Sequence, residues 1–162
     1  MITQSISATR KIAAPVSAVW ALVDHVETWS TWGPFETAEL ERTGSTNRGG
    51  VGAIRRFRRG RWTTREEVTV YQPGRRVGYR LLSGIPVRDY TAEVTLEQSG
   101  ARTRVTWEAT FRPMIPGTGR ALRRRLAVFV SEVLEDLAGA LETPAKATMA
   151  PSVTRVLADA AV

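Results

Sequence analysis

The sequence predicts an α+β fold in which a curved antiparallel sheet grips one long C-terminal helix. Two observations lead there. Between Gly117 and Glu142 the apolar residues Leu122, Leu126, Phe129, Val130, Val133, Leu134, Leu137 and Leu141 recur in steps of 4, 3, 1, 3, 1, 3 and 4. These steps place them on one face of an α-helix. Pro116 and Pro144 bracket the run, and no proline interrupts it. The stretches before it alternate apolar and polar residues and are joined by short turns. A helix about 39 Å long with one apolar stripe needs a broad apolar surface to lie on, and a sheet supplies one.

In chain order, Ile2, Gln4, Ile6, Ala8, Arg10 and Ile12 alternate with Thr3, Ser5, Ser7, Thr9 and Lys11, which predicts a strand over 2–12. Pro15 opens a helix whose apolar face is Val16, Val19, Trp20 and Val23, ending near Asp24-His25. A second helical segment over 26–32 carries Trp29 and Trp32, and Gly33-Pro34 stops it. Residues 36–43 read as an edge strand and 44–50 as a loop. From 51 to 112 the sequence reads as five strands. Arg59-Gly60, Pro73-Gly74 and Ser99-Gly100 are expected turns, with a longer connection from Ser83 to Arg88. The order is one strand, two short helices, six strands and the long helix. The expected domain is 1–142. Residues 143–162 read as an appended tail, with a short helix at Ser152–Ala160 as one option.

Turn positions set a register, and register sets faces. The three tight turns predict Phe57 opposite Trp62, Arg55 opposite Thr64, Val68 opposite Tyr79, Glu66 opposite Leu81, and Val94 opposite Val105. In that register nearly all large apolar residues share one face. Arg65, Glu67, Arg80, Asp89, Glu93, Glu97, Arg102, Arg104 and Glu108 share the other.

Composition narrows the function classes. At 162 residues and 43% hydrophobic content the chain is long enough for one well-filled core. No apolar run is long enough to span a bilayer. The N-terminus lacks the basic-then-apolar pattern of a secretory leader, and the absence of cysteine agrees with a cytoplasmic location. Net charge is +7, almost all of it from arginine, since Lys11 and Lys146 are the lysines. This charge reads either as attraction to a polyanion or as the codon bias of a GC-rich genome. The arginines are spread over many strands without a helix-turn-helix, zinc-finger or RNA-binding signature, so nucleic acid is not the expected partner.

Several local patterns carry a family likeness. They are Ile12-Ala13-Ala14-Pro15-Val16-Ser17-Ala18-Val19-Trp20, Trp29-Ser30-Thr31-Trp32-Gly33-Pro34-Phe35, the run from Glu66 to Tyr79, and Thr103-Arg104-Val105-Thr106-Trp107 before the final helix. With the element order, they make residues 4–142 resemble the START/Bet v1-like (SRPBCC) superfamily, and within it the bacterial polyketide cyclase/dehydrase-like group. The resemblance implies a helix-grip fold, a seven-stranded sheet round a C-terminal helix with two short helices closing its base. The group includes cyclases, lipid carriers and hormone receptors, so the likeness specifies the fold more closely than the activity.

The candidate chemistry starts from what is missing. His25 is the single histidine, so a metal site is not expected, and no nucleophile motif or phosphate-cradling glycine loop is present. No metal or nucleotide cofactor is expected. Arg55 and Glu66 both fall on the inner face as diagonal neighbours, where neither charge is tolerable alone. They read either as an ion pair closing the mouth of the sheet or as a site. In the second reading Arg55 stabilises a ligand carboxylate or enolate, and Glu66 accepts a proton or hydrogen bond. Tyr79 is a third weak catalytic candidate.

The expected ligand-binding residues are Trp32, Phe35, Arg55, Phe57, Glu66, Val68, Tyr79, Leu81, Tyr90, Trp107, Phe129 and Val133. They would line an apolar cavity of about 300–1,000 Å³. Arg120, Arg123, Arg124 and Arg125 open the long helix while its acids come late, against the helix dipole. They read either as a solvated face or as a weak contact for an anionic ligand, headgroup or partner.

The favoured function is a carrier or sensor of a hydrophobic small molecule, with an acidic group on that molecule as one option, acting as monomer or homodimer. The alternative is a polyketide cyclase, dehydrase or aromatase-like enzyme. A charge-driven nucleic-acid partner is the third class.

Overall fold

Alternation becomes strand, and the apolar stripe becomes helix. The computed structural model describes residues 2–143, so the expected Ser152–Ala160 helix lies outside the described residues. The strands are β1 Gln4–Ile12, β2 Thr37–Arg42, β3 Ile54–Arg59, β4 Trp62–Gln72, β5 Arg76–Ser83, β6 Val87–Ser99 and β7 Arg102–Pro113. The helices are α1 Val16–Asp24, α2 Trp29–Trp32 and α3 Gly119–Glu142, with a single 3-10 turn at Val26–Thr28. All strand pairs are antiparallel, in the order β1-β7-β6-β5-β4-β3-β2. The fold is therefore a helix grip, a curved seven-stranded sheet around one long helix.

Burial follows the two periods. On β6 and β7 alternate residues turn inward, among them Tyr90, Ala92, Val94 and Leu96, then Val105, Trp107, Ala109 and Phe111. On α3, Val130, Val133, Leu134 and Leu137 are buried, while Leu122, Leu126, Phe129 and Leu141 pack at the margin of the same core. Every member of the apolar stripe thus joins the core. α3 lies mainly along β1 and reaches β7, α1 and α2.

The hairpin register differs from expectation by an even step. Arg59 pairs with Trp62 and Ser99 with Arg102, so the loop residues are Gly60-Arg61 and Gly100-Ala101. In each loop the glycine comes first and has positive φ, 57° at Gly60 and 63° at Gly100. That is the glycine position of a type II′ hairpin turn, which matches the twist of the flanking strands. The shift moves Phe57 from Trp62 to Thr64, and Val94 from Val105 to Trp107. Faces survive, because a shift of an even number of residues leaves them unchanged. Between β4 and β5 the expected Val68–Tyr79 and Glu66–Leu81 pairs form, and a bulge between Val68 and Val70 re-registers the turn end.

Another irregularity, on β6 between Arg88 and Thr91, contains Asp89 at φ 51°. Bulges bend the strand that carries them. At the base, the buried Thr103 hydroxyl donates to the Ala14 carbonyl (2.8 Å), and the Trp29 indole N–H donates to the Leu22 carbonyl (2.9 Å). The second bond ties α2 to the end of α1 and aims the Trp29 ring into the sheet.

The outer face is a lattice of cross-strand ion pairs. Arg80 and Arg42 meet Glu67, Arg65 meets Glu41, Arg56 meets Glu39, Arg76 meets Glu93, and Arg112 meets Asp89. Much of the arginine is thus neutralised where it stands, although each exposed pair contributes only up to about 1 kcal/mol.

Candidate functional site

The site is built around one buried charge pair. Arg55 on β3 lies directly opposite Glu66 on β4, not diagonal to it, as the even register shift requires. Both side chains turn inward, at 4% and 7% exposure, and the guanidinium binds the carboxylate. Burial pushes the Glu66 carboxyl above its ordinary range, and Arg55 pulls it partly back.

Aromatic rings enclose the guanidinium. Its central carbon lies 4.9 Å from the Tyr79 ring centre, 5.5 Å from Trp29 and 5.7 Å from Phe57. A desolvated cation among π faces gains roughly 2 kcal/mol, which offsets part of the cost of burying it. From this cage the rings run on in contact. Trp29 lies 5.2 Å from Phe57, 5.9 Å from Phe35 and 6.2 Å from Trp107. Tyr79 lies 6.3 Å from Trp107 and 6.2 Å from Tyr90. Phe35 meets Phe129 of α3 edge-on at 5.8 Å.

The sequence-derived candidates therefore meet in one core. Phe57, Val68, Tyr79, Tyr90, Trp107 and Val133 are fully buried within it. Trp32, Phe35, Leu81 and Phe129 are half-buried at its margin. The residue that sequence reasoning left off the ligand-binding list is Trp29, which touches Trp32, Phe35, Phe57, Trp107 and Arg55. The signal for it was the spacing of Val26, Trp29 and Trp32, three residues apart on one helical face with Val26 and Trp29 both buried.

The volume also differs from expectation. The hollow that reaches Arg55, between α1, β2 and Gly49, is about 10 Å³, room for about one water. The rings take up space that the sequence left for a cavity of several hundred cubic ångströms. The larger hollows of about 680 and 630 Å³ are surface grooves elsewhere, one beside Arg76 and Glu93 and one between β1 and α3.

Two donors in this interior have no acceptor. The Nε–H of Arg55 and the Nε1–H of Trp107 are buried and unpartnered, and both residues border Tyr79 and Trp29. An unmet buried donor costs about 1–3 kcal/mol. The hydroxyls of Tyr79 and Tyr90 complete the polar groups here. Burial pushes Tyr79 well above its ordinary value and Tyr90 to about 12, so both remain protonated donors.

A family model described as polyketide cyclase / dehydrase and lipid transport matches residues 3–144. The chain belongs to that family. Among solved structures, a START superfamily protein from Mycobacterium smegmatis superposes with a TM-score of 0.74 at 13% identity, over 85% of this chain and 97% of that one. The XoxI protein from Bacillus cereus gives 0.71 at 18%, over 88% and 96%. The Zhui aromatase/cyclase from Streptomyces sp. R1128 gives 0.67 at 21%, over 87% and 94%. At these identities the likeness is one of fold. No curated protein matches the chain in sequence. Among the described residues no helix is long and apolar enough to cross a membrane.

Proposed function

We propose that the protein carries or senses a hydrophobic small molecule bearing an oxygen acceptor, held between the sheet and α3. The observation that supports this most is the pair of unpartnered buried donors, Arg55 Nε and Trp107 Nε1, beside the same two rings. A carbonyl, enol or carboxyl oxygen would satisfy them, and the rings would receive the apolar body. Glu66 already neutralises Arg55, so a neutral acceptor adds no net charge. A carboxylate can replace Glu66 as counterion if Glu66 takes up a proton, the direction in which burial already pushes it. Room for the ligand comes from displacing the half-buried rings Trp32, Phe35 and Phe129, which border solvent where α2 faces α3. The reading is of a cytoplasmic carrier, monomeric or homodimeric.

The raised Glu66 carboxyl beside Arg55 and Tyr79 supports a second reading, cyclase, dehydrase or aromatase chemistry, the first two named in the family's description and cyclase and aromatase for the Streptomyces structure. Glu66 would take a proton and Arg55 would stabilise the resulting enolate.

Tryptophan fluorescence titration with 2-acetylnaphthalene and with 2-ethylnaphthalene tests the binding reading. The ketone is expected to bind about tenfold more tightly, the effect of one well-placed hydrogen bond. Trp107→Phe is expected to remove that preference while leaving the hydrocarbon affinity in place. If neither compound binds, the interior is not a ligand site.

A further inference from the structure

We propose that the N-terminal end of α3, with the groove between it and β1, docks on an anionic lipid bilayer. The groove measures about 630 Å³ and is lined by Ser5 and Ser7 of β1 and by Arg120, Arg123 and Arg124 of α3. On the outer face of the sheet most arginines meet a carboxylate, Arg88 and Arg102 excepted, whereas among the described residues none of the clustered Arg120, Arg123, Arg124 and Arg125 is in an ion pair. Three of the later acids of the helix are engaged elsewhere, Glu132 with Arg59, and Glu135 and Glu142 with Arg10. The acid nearest in register is the exposed Glu108, opposite Ser7.

The helix end adds to the positive field. α3 has no acid in its first turn, and Thr118 does not cap it, because the Thr118 hydroxyl donates to the Ile115 carbonyl at 2.7 Å. The free N–H groups and positive dipole end of α3 lie at the same end of the helix as its arginines. An anion there relieves a repulsion that no side chain of the described chain relieves.

A second observation selects the kind of anion. The loop leading into α3 exposes Met114 (45%) and Ile115 (57%). Gln4 packs against Gly119 at the helix start, and the exposed Ile2 lies two residues before it in the chain. A soluble phosphate or a nucleic-acid duplex has no use for apolar side chains beside the arginines. A bilayer uses both: headgroup phosphates for the guanidiniums and the acyl boundary for methionine and isoleucine.

Cosedimentation of the full chain with phosphatidylcholine vesicles, with and without phosphatidylglycerol, tests this at low and high salt. Binding is expected only with phosphatidylglycerol, falling as salt rises. The triple variant Arg120→Gln/Arg123→Gln/Arg124→Gln is expected to bind about a hundredfold more weakly, at about a factor of five per charge. Met114→Ser/Ile115→Ser, which leaves every charge in place, is expected to lose the part of binding that survives high salt. Circular dichroism confirms that both variants are folded. No vesicle binding, equal binding to both vesicle types, or binding indifferent to the Met114/Ile115 change each overturns the proposal. Binding to heparin or duplex DNA that exceeds vesicle binding and ignores Met114 and Ile115 would instead mark a general polyanion site.

Discussion

Arg55 and Glu66 stand directly opposite each other on β3 and β4 and form an ion pair inside the ring cluster. Their coupling is measurable. Arg55→Met keeps the bulk and removes the charge, which leaves a buried carboxylate alone and is expected to cost about 3–5 kcal/mol. Glu66→Gln in the same chain is expected to restore most of that loss. Urea denaturation of the two single variants and the double variant measures the coupling. Independent, additive effects would mean that the two charges do not depend on each other.

The same pair gives a pH signature. The folded-state pKa of Glu66 lies above its unfolded value of 4.5. The folded state therefore holds the proton more tightly, and stability falls as pH rises from that value through the raised one. Without Arg55 the carboxyl is pushed higher still. The deficit of Arg55→Met relative to wild type is expected to shrink as pH falls from neutral to about 5. A deficit that stays constant over this range would count against a buried, unpaired Glu66 carboxylate.

The tyrosines make an alkaline counterpart. Burial raises Tyr71 to about 12, helped by the hydrogen bond its hydroxyl donates to Asp24 at 2.8 Å. Burial likewise raises Tyr90 to about 12 and Tyr79 well above 10. Each contributes stability that is fully present below about pH 10 and is lost as pH climbs through its raised folded value. Ultraviolet titration of the folded protein is expected to show no tyrosinate step near pH ~10, while the chain in denaturant titrates all three there. A native step near ~10 would place at least one of these hydroxyls in water.

Glycine positions separate conformational need from space. Gly84 and Gly100 both have positive φ, 124° and 63°. A Cβ at Gly84 would lie 2.4 Å from the Thr63 carbonyl oxygen, whereas one at Gly100 would meet nothing within 4 Å. Gly100→Ala is expected to cost about 1–2 kcal/mol, the penalty of a left-handed residue. Gly84→Ala should exceed it, at about 3 kcal/mol or more, because the obstacle is backbone and the conformation is one that glycine almost alone adopts. Equal losses in thermal unfolding would mean that the β5–β6 loop can move away from β4.

Faces were legible in the sequence and contacts were not. Strand alternation needs only the period of two, so Arg55, Phe57, Glu66, Val68, Tyr79, Tyr90 and Trp107 were assigned to the inner side even where the hairpin pairing was displaced. The displacement itself turns on whether Gly60 and Gly100 stand first or second in their loops, which neighbouring side chains do not reveal. The missing acceptors for Arg55 and Trp107 were equally invisible, because an unpaired N–H depends on what every other element brings to the same place. Trp29 illustrates both sides of this. The sequence places it on the second short helix, but its contact with Arg55 goes with the bond from its indole to Leu22, a carbonyl seven residues earlier.

The end of α3 allows the domain boundary to be tested. Its last turn is fastened to the start of the chain: the Glu142 carboxylate accepts a hydrogen bond from the Ala13 backbone N–H at 2.9 Å and lies 3.7 Å from Arg10. Leu137, 2% exposed, is the last large side chain of the stripe that is fully buried, and Leu141 packs at the core margin. A chain ending after Thr143 keeps all of these contacts, and the family match ends at 144. Such a chain is expected to unfold within about 0.5 kcal/mol of the full one, the scale of changes that touch no core group. Leu137→Ala in either chain should cost about 2–5 kcal/mol, and Val128→Ala, at 64% exposure, about 0.5 kcal/mol or less. Urea denaturation of the four chains reads all three effects. A loss of several kcal/mol on truncation alone would mean that residues beyond 143 pack on the body of the domain or on a second copy, and the boundary would move accordingly.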